Sequence, residues 1–175
     1  VIDMVHRAGY RTAHFGKWHL GEGKPQGFDV WESSFNSRQG HWIDGLQDGT
    51  YRPDQQTDAC LAFLRAQTDP DQPFLMVQSY YPPHDPYTAP QHFYDPYRGK
   101  GIPFAGYYAA VTALDQAIGE IVTALEQRKQ LENTLIVFHS DSGAALPTRY
   151  PAGDGDVAEP AGNNDVFREG RGSLY

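Results

Sequence analysis

The stretch "PFLMVQSY", Pro73 to Tyr80, followed at once by "YPPHDPYTAP", Tyr81 to Pro90, decides the fold reading. A continuous apolar run behind a proline lacks the alternation of a half-wet strand and fits one covered on both faces, as in a parallel sheet. The prolines that follow exclude regular structure and stiffen the chain. Downstream, Tyr108, Val111, Leu114, Ile118, Ile121, Val122 and Leu125 recur at spacings of three and four, which predicts a helix over residues 106–128. "NTLIVFHSD", Asn133 to Asp141, repeats the first pattern and predicts a second buried strand ending in an acid. Upstream, "DQQTDACLAFLRAQ" from Asp54 is helical, with Cys60, Leu61 and Leu64 on one face and Asp54 or Thr57 near its start. Helix, strand, long helix and strand in succession predict an α/β fold with a mostly parallel central sheet flanked by helices.

Residues 1–9 suggest the last turns of a helix, with Ile2, Val5 and His6 on one side and Gly9 as C-cap. "YRTAHFGKW" alternates weakly and suits a short strand. Residues 21–53 and 144–166 show no lasting period and read as long loops. There is no internal repeat. The chain begins "VIDMVHRAGY" and stops at "GRGSLY", and both ends read as cuts through a longer domain.

Composition narrows the classes. With 175 residues, 39% of them hydrophobic, the chain can bury a real core. A formal net charge of -8 and a pI near 5.2 argue against a nucleic-acid partner or an anionic membrane surface. An anionic substrate would need a local basic pocket. No apolar run reaches the length of a membrane span. The single cysteine, Cys60, excludes an internal disulfide and fits a helix core position.

Four clusters carry chemistry. "GKWHLGEG", Gly16 to Gly23, crowds Lys17, Trp18 and His19 into a glycine-bounded turn, which neither packing nor a plain surface loop requires. His84 follows the first apolar strand, Asp141 and Ser142 end the second, and Arg171 lies in the terminal "REGRGS". In open α/β sheets ligands bind beyond the carboxyl ends of the strands. Two cations, two imidazoles and a hard-oxygen metal ligand in one crevice would suit a tetrahedral oxyanion ester. His6, His14, His41, His92 and His139 suggest structural or surface positions. Trp31, Trp42, Tyr80, Tyr81 and Tyr87 fit a sugar- or aryl-binding cleft and plain packing equally well.

"GYRTAHFGKWHLG" resembles a signature of the sulfatase family, in the alkaline-phosphatase-like superfamily. The similarity continues in the family's order through "YRPDQQTDACLAFL", "PFLMVQSYYPPHDPYTAP", "YYAAVTALDQAIGEIVTALEQRKQLENTLIVFHSDSG" and "NNDVFREGRGSLY". The resemblance implies hydrolysis of a sulfate monoester, on a small molecule or a glycan, by the central part of a single catalytic domain spanning residues 1–175. It implies that Lys17 and His19 orient the nucleophile, and that Lys17, His84 and Arg171 contact the ester. It also implies that His84 protonates the leaving oxygen, and that Asp141 ligates a divalent cation, usually calcium.

Ser142 stands where the family usually has an amide ligand, and Arg171 replaces a usual lysine, keeping the charge but not its shape. The family nucleophile, a formylglycine made from a Cys- or Ser-x-Pro-x-Arg motif, is expected outside this chain. "ALPTR", Ala145 to Arg149, copies the spacing without a convertible side chain, and Cys60 has neither the proline nor the arginine. Phosphate or phosphonate ester hydrolysis on the same fold, or binding of sulfated glycans without cleavage, remain alternatives. Many family members are exported. Oligomeric state is left open.

Overall fold

The computed structural model describes residues 1–21, 23–35, 42, 49–69, 71–84, 87–102 and 105–143. Chain contacts divide it into two units, Val1–Asn133 and Thr134–Tyr175.

The first unit is built on a three-stranded parallel sheet in the order β2-β1-β3. Strand β1, Arg11–Trp18, is central, between β2, Val30–Phe35, and β3, Phe74–Ser79. Parallel neighbours need crossovers, and the connection from β2 to β3 carries helix α2, Arg52–Arg65. Side chains alternate along β1, so Ala13 and Phe15 point one way and Thr12 and His14 the other. On the first face, Ala13 and Phe15 form a core with Cys60, Phe63 and Leu64 of α2 and Leu125 of helix α3, Ala105–Gln127. Full burial of a side chain such as Phe15 stabilises by about 1.5–3 kcal/mol.

On the other face His14 is buried against the rings of Trp18, Phe28 and Trp31, with centroids 5.1, 5.7 and 4.7 Å away. Thr12 anchors the β1–β2 connection: its amide donates to Asp29 Oδ2 at 2.8 Å and its hydroxyl to the Gly27 carbonyl. A second core of Trp42, Tyr51, Ala89, Phe93, Ala109 and Ala113 ties α3 to a 3-10 helix, Gln91–Tyr97.

Several expectations are corrected. Residues 21–53 are not all loop, because Val30–Phe35 forms β2. Its partners lie in β1, a non-local pairing that no window around residue 30 displays. β3 is parallel as expected but half-buried throughout, because it is an edge strand in the three-stranded sheet. Helix α2 begins two residues before the expected start, at Arg52 with Tyr51 as N-cap and Pro53 in its first turn, and Asp54 lies in that first turn as expected. Thr57 serves inside the helix, donating to the Pro53 carbonyl at 2.8 Å.

In α3 the fully buried stripe is Ala109, Ala110, Ala113, Ala117 and Leu125, while Tyr108 and Val111 are exposed. Small side chains let the Ala109–Ala117 part of α3 approach its neighbours closely, while Leu125 and Ile121 pack into the first core. The first helix, α1, is Ile2–Arg7, capped by Ala8, with Gly9 one position later at φ +91°.

In the second unit, residues 134–140 form no strand, and Leu135, Val137 and Phe138 are 89%, 71% and 76% exposed. The expected buried strand is therefore absent from the described residues. An apolar run becomes a strand only where another backbone accepts its ladder.

Candidate active site

The site assembles at the carboxyl ends of β1 and β3, where the two strands close tightly. Gly16 pairs with Ser79, and a Cβ on Gly16 would lie 2.1 Å from the Ser79 carbonyl oxygen. Gly16 also has φ +94°, so only glycine fits without strain. The first glycine of the fence thus lets β3 approach immediately before Lys17. The Ser79 hydroxyl lies 3.3 Å from His14 Nε2, a second tie between the strands.

Beyond this closure the chain turns. Tyr80 and Tyr81 point to different neighbours. The Tyr80 hydroxyl hydrogen-bonds Thr57 Oγ1 of α2 at 2.7 Å, and burial raises its phenol's pKa. Tyr81 turns to Lys17, whose Nζ sits 5.3 Å from the ring centroid, within cation–π range. The His84 amide donates to the Tyr81 carbonyl at 3.0 Å, and its imidazole lies 4.8 Å from the Tyr81 ring at an interplanar angle of 35°. Lys17 and His84, 67 positions apart in sequence, thus share one aromatic neighbour.

Arg52 approaches the same region from the first turn of α2. It is buried and donates from Nη2 to the Trp42 carbonyl at 3.3 Å. Burial lowers its guanidinium's pKa, and the Tyr81 phenol opposes that shift.

His19 lies just past β1 and is exposed. Asp141 and Ser142 belong to the second unit and are exposed there. Ser142 Oγ donates to Asp141 Oδ1 at 3.3 Å. Arg171 lies outside the described residues. Of the expected constellation, then, Lys17 and His84 share the Tyr81 ring as a neighbour, and His19 follows two residues after Lys17 at the same strand end.

The donor chemistry at Asp141 and Ser142 suits a hard cation, but calcium takes about six to eight oxygens. Among the described residues there is no group of three or more His, Cys, Asp or Glu side chains that could hold a metal ion.

The aromatic residues sort by role. Trp31 packs on His14, Trp42 is core, Tyr87 packs on Tyr107, and Tyr81 stands at the site. His14, read as structural, is buried, and desolvation holds its imidazole down at about 4. Arg52 was the residue the sequence reading passed over, since a cation opening a helix carries no local pattern. A cleft of about 280 Å³ lined by Glu32, Arg52, Gln55 and Gln56 opens between α2 and β2. Another of about 360 Å³ lies by Gln91, Tyr94, Tyr97 and Arg98. Lys17 and His84 line neither.

Comparison with known proteins matches the sulfatase family model to residues 1–168. An ulvan-active sulfatase of Formosa agariphila is 32% identical over 180 residues, covering 83% of this chain and 35% of that protein. The N-acetylgalactosamine-6-sulfatase of Rattus norvegicus is 26% identical over 200 residues, covering 96% and 37%. The crystal structure of Ps i-CgsB in complex with k-i-k-neocarrahexaose superposes with a TM-score of 0.71 over 81% of this chain and 40% of that one. At 24% identity that likeness speaks for the fold, which is alkaline-phosphatase-like. The chain spans about a third of the length of the curated relatives it matches.

Proposed function

Because this chain belongs to the sulfatase family, we propose that it forms the central part of one catalytic domain that hydrolyses a sulfate monoester. The observation that carries this reading is the meeting of Lys17 and His84 around Tyr81 at the strand ends. An ammonium and an imidazole held against one ring can offer donors to two oxygens of a tetrahedral anion. Charge that develops there in the transition state is stabilised by donors already in place. Lys17 binds a sulfate oxygen. His84 contacts the ester and gives a proton to the departing oxygen. His19, at the same strand end, orients the nucleophile beside Lys17. Arg171 adds a planar, two-pronged grip on the sulfate.

Asp141, with Ser142, supplies oxygen ligands to a divalent cation, calcium by the family's habit, and such an ion would neutralise sulfate charge when bound. The nucleophile is a formylglycine from a Cys- or Ser-x-Pro-x-Arg motif, which these 175 residues do not contain. The substrate class is a sulfated sugar in a glycan. The naming of an N-acetylgalactosamine-6-sulfatase among the relatives supports this.

The test is a paired assay of the full-length protein on an aryl sulfate and the matching aryl phosphate. The sulfate should be the better substrate, and Lys17→Ala and His84→Ala should each lower kcat/KM on the order of 10²-fold or more. A preference for the phosphate ester would overturn the sulfate reading, and a near-native rate in either variant would remove that residue from the mechanism.

A further inference from the structure

The geometry points to Tyr81 as a positioning residue that sets the placement of Lys17 and His84 relative to each other. Its kinetic consequence rests on the function proposed above, while its structural consequence does not. Three observations converge. The Lys17 ammonium lies over the Tyr81 ring at 5.3 Å, the His84 imidazole leans on that ring at 4.8 Å, and the His84 amide closes a turn onto the Tyr81 carbonyl at 3.0 Å. Lys17 reaches in from β1 and His84 from the turn after β3. Ring contacts join Tyr81 to both.

The physics is that of two flexible side chains. A lysine stem has several rotatable bonds, and an imidazole turns about two. The negative face of an aromatic ring attracts the ammonium, and the flat ring gives the imidazole a wall that restricts its rotation. Both groups are then held against one ring before an anion arrives, so the ordering cost is met in folding rather than in binding. The base of this arrangement is rigid, because Gly16 and Ser79 lock β1 to β3 one residue before Lys17 and two before Tyr81. The ring, rather than the hydroxyl, is the agent, since both contacts are to the ring.

The experiment compares Tyr81→Phe with Tyr81→Met in the full-length protein. Tyr81→Phe keeps the ring and should hold kcat within about twofold. Tyr81→Met keeps apolar bulk without a π-face and should lower kcat about 10-fold or more, as misplacement of a reacting group does. Its loss should fall mainly on kcat rather than KM, because what suffers is the alignment reached in the transition state.

An NMR readout is independent of turnover. With labelled histidine, the His84 ring resonance, assigned by its absence in His84→Ala, should move in Tyr81→Met and stay in place in Tyr81→Phe. In the unmutated protein, nuclear Overhauser contacts should run from the Tyr81 ring to the His84 ring and to the Lys17 ε-methylene. Absence of those contacts overturns the proposal whatever the variants do to folding. Equal loss of kcat in Tyr81→Phe and Tyr81→Met overturns it too, by making the hydroxyl the agent. If the contacts are present but no sulfate ester is hydrolysed, the positioning stands and the proposed reaction falls.

Discussion

Alanine at Gly16 should be among the most damaging single-methyl changes in the chain, and two other glycines supply its controls. Gly16 has φ +94°, and an added Cβ would stand 2.1 Å from the Ser79 carbonyl oxygen. Gly9 has nearly the same backbone, φ +91°, with nothing within 4 Å. Gly106 lies in α3, and its Cβ would meet the Tyr87 carbonyl oxygen at 2.3 Å. Gly9→Ala therefore carries left-handed strain alone, about 1–2 kcal/mol. Gly106→Ala carries overlap, about 1–3 kcal/mol, offset by the roughly 0.5–1 kcal/mol that alanine gains over glycine inside a helix.

Gly16→Ala combines strain and overlap and should cost about 2–5 kcal/mol. The Ser79 oxygen belongs to backbone and cannot swing aside, so the strands must part just where Lys17 begins. Urea unfolding of the three variants in the full-length protein, compared by midpoint at constant m, measures each cost. An activity assay should show Gly16→Ala losing turnover while Gly9→Ala keeps it. A Gly16→Ala cost no larger than that of Gly9→Ala would refute the closure of β1 on β3 and the site geometry built on it.

Two further predictions concern buried groups. Desolvation holds the His14 imidazole at about 4 against its ordinary 6.5, so the unfolded chain binds the proton more tightly. Stability should be complete above about pH 6.5 and fall as pH drops toward 4, by up to about 3 kcal/mol. His14→Phe should flatten that part of the profile, and an unchanged pH dependence of the urea midpoint would contradict the burial. Cys60 is buried, its Sγ donates to Gln78 Oε1 at 3.0 Å, and desolvation pushes its thiol up to about 12. A thiol reagent should label it only on unfolding, as read by peptide mapping, and rapid labelling of the native protein would place it elsewhere.

How far the chain could be read in advance depends on where each signal resides. The strand at residues 74–79 was legible because its apolar run is local, and the strand at 11–18 because it alternates before a glycine turn. Val30–Phe35 was not, since what makes it a strand is the register Ala13↔Val30 to Trp18↔Phe35, a property of two segments at once. Leu135–Phe138 failed in the opposite sense, because its composition asks for a ladder that the described residues do not provide. In α3 the spacing located the helix and placed Leu125 and Ile121 in the core, but not the alanine stripe, for hydrophobicity ranks Val111 above Ala113 while close approach favours the smaller residue.

At the site, Lys17 and His84 stood out through glycine and proline punctuation. Tyr81 could not be told from Tyr80 or Tyr87 until its ring was placed between them. Asp141 and Arg171 remain legible in sequence alone, one in the second unit and one beyond the described residues.

The parallel pairing of Gly16 with Ser79 has a temporal side. During synthesis β1 is exposed long before β3 exists, because its partner follows about sixty residues later, and at about 5–20 residues per second that interval is roughly 3–12 s. Until then one flank of β1 offers bare amides and carbonyls to any extended peptide nearby, so the nascent chain, rather than the finished protein, is where this topology is most exposed to aggregation and most in need of a chaperone.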